Sequence, residues 1–159
     1  MNVVITGSNR GIGLELTKQY ALNHHVYALC RQSNHDLTQI PNVTVIENVD
    51  VTNSSSIHLA VNQCPNEVDL LINNAGILKR VSIDQLDPSV MNEQWNVNAL
   101  GPLKVTHAFL NSLSKQSKVI LMTSRMGSIA DNDSGSHYGY RMSKAALNMA
   151  GKSLAVDLK

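Results

Sequence analysis

Tyr140 and Lys144 lie four residues apart in Tyr140-Arg141-Met142-Ser143-Lys144, a segment with helical periodicity. On a helix such residues share a face, with Cβ atoms roughly 5–6 Å apart. A free phenol titrates near pH 10, too high for efficient acid–base catalysis at neutral pH. A cation about 5 Å away, at an effective dielectric of about 20, contributes about 3 kcal/mol, or about two pKa units. That is the shift such a phenol needs. The same spacing also occurs on ordinary solvated helices, so the pair needs companions. Ser124 closes the run Met122-Thr123-Ser124-Arg125-Met126-Gly127. A hydroxyl at a strand's C-terminal end can hydrogen-bond an oxygen on which charge develops, or it can simply start a turn. Asn98, in Asn96-Val97-Asn98-Ala99-Leu100-Gly101-Pro102, stands in a helical run just before Gly and Pro. This predicts a kinked or loosened helix that could free the Asn98 carbonyl to hold a water.

A second group of residues suits an anion. Val3-Val4-Ile5-Thr6 runs into Gly7-Ser8-Asn9-Arg10-Gly11-Ile12-Gly13 and then the helical pattern Leu14–Leu22. Strand, glycine turn and helix in that order place unpaired N–H groups and the helix dipole where a pyrophosphate can approach the backbone closely. A plain tight turn is the alternative. The order points to a dinucleotide, and the end of the second strand selects which one. A carboxylate there would accept from a ribose 2′-hydroxyl and repel a 2′-phosphate. Here His25–Cys30 is followed by Arg31, and Arg10 in the glycine loop supplies a second cation. Two guanidiniums suit a phosphate, so NADP(H) is expected over NAD(H), unless Arg31 is only a solvated surface residue. Asp50-Val51 ends the third strand pattern, where Asp50 either accepts from the adenine amino group or caps the next helix. Asn73-Asn74-Ala75-Gly76 ends the fourth strand, and its small residues let the backbone pass close to a cofactor or brace neighbouring strands.

The elements that must position these residues are legible from periodicity. Apolar, β-branched runs at Asn2–Thr6, His25–Cys30, Val43–Val49, Val68–Asn73 and Lys118–Thr123 read as strands covered on both faces. Helical patterns at Ile12–Leu22, Ser54–Gln63, Glu93–Ser114 and Tyr138 to the end alternate with them. The alternation predicts an α/β, doubly wound parallel sheet with helices on both faces. Asp131–His137 has no periodicity and reads as a loop, either mobile surface or substrate-facing.

Composition sets the bounds. With 159 residues and 43% apolar content, one domain spanning 1–159 is expected. A net charge of +1 gives no field for nucleic acid or an acidic membrane. No apolar stretch approaches the roughly 18 residues of a membrane span. Two cysteines, Cys30 and Cys64, form no metal or disulfide pattern and suit a reducing cytoplasm as small buried hydrophobes. The six histidines are scattered, and no metal-ligand spacing, serine-hydrolase elbow or Walker lysine motif occurs.

Taken in order, Thr6–Gly13, Asp50-Val51, Asn73–Gly76, Asn98, Ser124 and Tyr140–Lys144 resemble the motifs of the short-chain dehydrogenase/reductase family. The resemblance covers the whole chain. Within that family the chain resembles the C-factor and Sniffer-like carbonyl reductases, and Ser124–Asp131 with Tyr138–Lys144 looks particularly like the C-factor branch. It implies a Rossmann-type domain and hydride transfer between a nicotinamide and a carbonyl or alcohol carbon of a small molecule. By position it makes Tyr140 the acid–base residue and gives Lys144 two tasks, lowering the tyrosine pKa and holding the nicotinamide ribose. Ser124 orients the substrate oxygen, and Asn98 positions a relay water. Tyr138 competes for the tyrosine role but has no lysine four residues on.

The cofactor would then contact Gly7, Ser8, Asn9, Arg10, Gly11, Ile12, Gly13, Arg31, Asp50, Val51, Asn74, Ala75, Gly76, Tyr140 and Lys144. The helices Glu93–Ser114 and Tyr138–Lys159 would pair with their counterparts in a homodimer or homotetramer. Relative to the family, the chain stops early, at Lys159. The expectation is therefore that the last strands, a Pro-Gly and Thr segment near the nicotinamide, and part of the pocket wall lie outside it. The fifth strand would then be left as an open edge. This keeps alternatives in view: a catalytically silent dinucleotide-binding or C-factor-like signalling protein, arising by truncation, or a remnant that folds only in an assembly.

Overall fold

Parallel strands β1 (Asn2–Thr6), β2 (His25–Leu29), β3 (Val43–Ile46), β4 (Val68–Asn73) and β5 (Leu113–Leu121) form one five-stranded sheet in the order β3-β2-β1-β4-β5. The computed structural model describes residues 1–159, which divide into two compact units. The sheet belongs to the first, Met1–Ala75 with Lys104–Met122. Its helices α1 (Gly11–Ala21), α2 (His35–Thr38) and α3 (Ser54–Val61) alternate with the strands. The chain builds β1, β2 and β3 outward, then crosses back to place β4 on the other side of β1. With right-handed crossovers that reversal puts helices on both faces, which is the Rossmann-type doubly wound fold. Val3, Val4, Ile5, Val26, Ala28, Val68 and Leu71 are fully buried, as runs covered on both faces require.

The fifth strand departs from expectation. It spans Leu113–Leu121 rather than Lys118–Thr123, because Leu113 already pairs with Val68 while Lys118 pairs with Leu70. The intervening residues form a bulge held by side chains. Ser117 Oγ donates to the Val68 carbonyl at 2.6 Å and accepts from Ser114 N–H at 2.8 Å. Unlike the central strands, β5 has no fully buried residue, and Ile120 is 38% exposed. The second and third strands end slightly earlier than read, and α2 is a short helix the periodicity did not announce. It is capped by Asn34, whose side chain accepts from Leu37 N–H.

The second unit, Gly76–Leu103 with Thr123–Lys159, is helical. It holds α4 (Pro88–Trp95), the start of α5 (Gly101–Phe109) and α6 (Tyr138–Asp157). The single helix expected over Glu93–Ser114 begins earlier and breaks. Asp87 accepts from Ser89 and Val90 N–H, and Pro88 occupies the first turn, so α4 starts there. Asn96–Leu100 is a π-helical turn in which Gly101 N–H reaches back to the Asn96 carbonyl. Pro102 explains it: having no N–H, it cannot serve the Asn98 carbonyl four residues back, and the helix widens. A 3-10 turn at Leu110–Ser112 ends the run.

Candidate active site

The end of β1 and the end of β4 are tied together by one threonine and one asparagine. Thr6 Oγ1 accepts from Asn74 and Ala75 N–H, both at 3.1 Å. Asn74 Nδ2 donates to the Thr6 and Gly7 carbonyls at 3.0 and 3.2 Å. Ser8 is fully buried and its hydroxyl donates to the Ile5 carbonyl at 2.7 Å. Gly7 takes φ +70°, and a Cβ on it would stand 2.9 Å from Ala75 Cα. On Gly13 a Cβ would lie 2.2 Å from the Gly7 carbonyl oxygen. These glycines are therefore needed for packing.

Gly11 differs. At φ +55° it faces open space, with no atom within 4 Å of where its Cβ would be. It opens α1, whose N-cap Arg10 makes no side-chain cap, and the neighbouring Ile12 is 64% exposed. Uncapped N–H groups beside an unfilled glycine position fit a pyrophosphate.

The turns after β2 and β3 have more structure than the sequence suggested. Asn9 Nδ2 donates to the Gln32 carbonyl at 2.8 Å, and Asn34 Nδ2 returns a bond to the Asn9 carbonyl. Arg10 and Arg31 are both exposed. Asp50 does not cap α3; Asn53 does, accepting from Ser55 and Ser56 N–H. Asp50 Oδ1 instead accepts from Thr52 N–H and hydroxyl at 2.8 and 2.7 Å. Burial pushes the Asp50 carboxyl up, but those bonds, with Arg31 and Lys104 nearby, hold it below its usual value. The helix-cap reading of Asp50 is thus replaced by a local turn, while Val51 is buried. No carboxylate stands at the end of β2 in sequence, yet Glu47 reaches in from beyond β3 and accepts from Ser33 N–H at 2.7 Å.

In the second unit, Gly76 begins the segment that Asn98 braces. Asn98 is fully buried; its Oδ1 accepts from Ile77 N–H and its Nδ2 donates to the Ile77 carbonyl, each at 2.8 Å. Nδ2 also donates to Ser143 Oγ at 3.0 Å, and that hydroxyl donates to the Tyr140 carbonyl at 2.8 Å. A hydrogen-bonded line thus runs from Asn98 to the backbone of Tyr140. Lys144, only 4% exposed, sets its Nζ 5.8 Å from the centroid of the Tyr140 ring. Burial lowers the lysine's pKa.

Ser124 caps a 3-10 turn, accepting from Met126 N–H at 3.2 Å. The turn ends on Gly127, where a Cβ would meet Lys144 backbone at 2.8 Å. Gly139 is equally constrained: its Cβ would lie 2.5 Å from Gln94 Nε2.

The bracing roles of Ser143, Gln94 and Asn148 carried no signal in the sequence, because Ser143 meets Asn98 45 positions away, Gln94 Oε1 accepts from Lys79 N–H 15 away, and Asn148 Nδ2 donates to the Gly127 carbonyl 21 away. Arg141 was equally silent. Its Nε donates to the Gly135 and Ser136 carbonyls and its Nη2 to Ser134 Oγ, so the 131–137 loop is tied to the residue next to Tyr140. Tyr138 is on the same helix but 37% exposed.

The profile of the short chain dehydrogenases matches residues 1–159. The chain belongs to that family. Among its relatives is the C-signal of Myxococcus xanthus, 48% identical over 103 residues, or 63% of this chain and 62% of that protein. The chain thus spans less than two thirds of that relative's length. An NADPH-bound carbonyl reductase from chicken fatty liver superposes with TM-score 0.88 at 31% identity, covering 98% of this chain and 73% of the other. The carbonyl reductase Sniffer of D. melanogaster gives TM-score 0.88 at 29% identity, covering 99% and 75%. Glycine loop, Asn98, Ser124, Tyr140 and Lys144 thus stand in a fold shared with carbonyl reductases. No helix is long and apolar enough to cross a membrane, and no three His, Cys, Asp or Glu side chains come together as a metal site would need.

Proposed function

We propose that the chain is an NADP(H)-dependent oxidoreductase acting on a small carbonyl or alcohol, with Tyr140 as its acid–base group. The observation that carries this reading is the buried Lys144 ammonium at 5.8 Å from the Tyr140 ring, in a chain of this family. When bound, the nicotinamide supplies or accepts the hydride, the chemistry a protein side chain cannot perform. Gly7–Gly13 receives the pyrophosphate at the N-terminus of α1, and Arg10 and Arg31 hold the 2′-phosphate. Asp50, Val51, Asn74, Ala75 and Gly76 line the rest of the cofactor's path.

Tyr140 gives a proton to the substrate oxygen in reduction and takes it back in oxidation. Lys144 stabilises the phenolate that remains, while Ser124 donates to the same substrate oxygen. Asn98 holds the helix so that its carbonyl can position a water for proton return. Replacing Tyr140 with Phe is expected to cut turnover about a hundredfold or more and leave NADPH binding within about twofold. Retained turnover in Tyr140→Phe would overturn the mechanism, and tighter binding of NADH than NADPH would overturn the cofactor assignment.

A second reading is favoured by the 48% identity to the C-signal: a dinucleotide-binding signalling protein without turnover. Cofactor binding combined with inactivity across a broad aldehyde and ketone panel would select it.

A further inference from the structure

Two arginines at the adenosine end argue for a 2′-phosphate, yet a carboxylate reaches the turn after β2. Its position is set by backbone. Cys30 N–H donates to the Ile46 carbonyl, Val49 N–H to the Cys30 carbonyl and Asn48 N–H to the Arg31 carbonyl, at 3.0, 3.0 and 3.1 Å. Glu47 is therefore held between two residues whose backbones bond to the end of β2 and the turn after it. Its Oε1 takes Ser33 N–H at 2.7 Å. The Asn9–Gln32 and Asn34–Asn9 bonds hold that same turn to the glycine loop, so Ser33 N–H is an anchored donor. The charge is felt nearby: after burial, Glu47 is the next reason that the Cys30 thiol is pushed up to about 11.

We propose that Glu47 is a specificity-determining residue that works against the 2′-phosphate, limiting the preference for NADP(H) that Arg10 and Arg31 create. The turn after β2 is where a 2′-phosphate would seek cations and backbone N–H groups. Glu47 occupies one such donor and places a negative charge in that turn, where its field reaches Cys30. NADH has no 2′-phosphate to repel, so Glu47 weighs on it far less. The inference rests on the dinucleotide reading above.

The test is a titration of the purified chain and of Glu47→Gln and Glu47→Ala with NADPH and with NADH, following nucleotide fluorescence at low and moderate salt. Glu47→Gln keeps an acceptor for Ser33 N–H and removes only charge; Glu47→Ala removes both. NADPH is expected to bind about three- to tenfold more tightly to both variants, with NADH changed far less and the gain shrinking as salt rises. An unchanged NADPH-to-NADH ratio, or a parallel change for both nucleotides, would overturn the proposal. The unmodified chain's own ratio separately tests the cofactor reading, since a preference for NADH would sink that reading while the variants could still shift the ratio. No binding of either nucleotide to any of the three proteins would overturn both.

Discussion

A lysine that is 4% exposed carries a consequence that can be measured without substrate. Burial lowers the folded-state pKa of Lys144 below its ordinary 10.5. Between the lowered value and 10.5 the unfolded chain binds more protons than the folded one, so stability rises with pH across that window. Below it the ammonium is present in both states and the desolvation cost is constant. Urea unfolding from pH 7 to 10 should show this rise as the difference between the chain and Lys144→Met. Burial raises the Cys30 and Cys64 thiols to about 11 and about 12, and both proteins share the opposing fall these bring near pH 9 and above; parallel curves would refute the assignment. Asn98 is the other decisive single residue. Asn98→Ala strands the N–H and carbonyl of Ile77 without their partner. A loss of about 2–4 kcal/mol is expected in chemical denaturation.

At the level of elements, the glycine loop separates packing from binding. Gly13→Ala drives a methyl against the Gly7 carbonyl, where 2.2 Å is available, and should cost about 1–3 kcal/mol or more in stability. Gly11→Ala meets no atom and pays only for φ +55°, about 1 kcal/mol. Its larger effect should be on nucleotide affinity, because the added methyl points into the open space beside the first N–H groups of α1. Denaturation and titration of both variants check the contrast. The helices teach a related lesson. Periodicity located the run after β4 but merged α4, the π turn and α5 into one helix. The information that breaks it was local, Asp87-Pro88 at the start and Pro102 inside, and it acts through missing or capped N–H groups that a hydrophobic pattern does not register.

For the whole molecule, the sheet of the first unit should dominate protection. Amides of β1 and β4, whose side chains are nearly all buried, are expected to exchange only on global unfolding, whereas residues 114–117 in the β5 bulge exchange much sooner. Hydrogen exchange followed by mass spectrometry checks the order. If the dinucleotide reading holds, NADPH at about a hundred times its Kd adds about 2.7 kcal/mol and raises Tm by about 5–10 °C. No shift in a thermal melt would count against binding.

By itself the sequence determined the strand order's raw material, the glycine turn and the Tyr140–Lys144 face, because each depends on residues close together in the chain. Periods of two and of 3.6 residues, glycine placement and i, i+4 spacing are all local. Only the tertiary structure decided that Gly7 and Gly13 are packing glycines while Gly11 is open, and that Asp50 closes its own turn rather than capping α3. It alone joined Asn98 through Ser143 to Tyr140, across 45 positions between Asn98 and Ser143. It also brought Glu47 to Ser33, 14 positions away. Those contacts rest on strand pairing and on helix packing, which bring distant residues to hydrogen-bonding range by geometry that no short window of sequence contains.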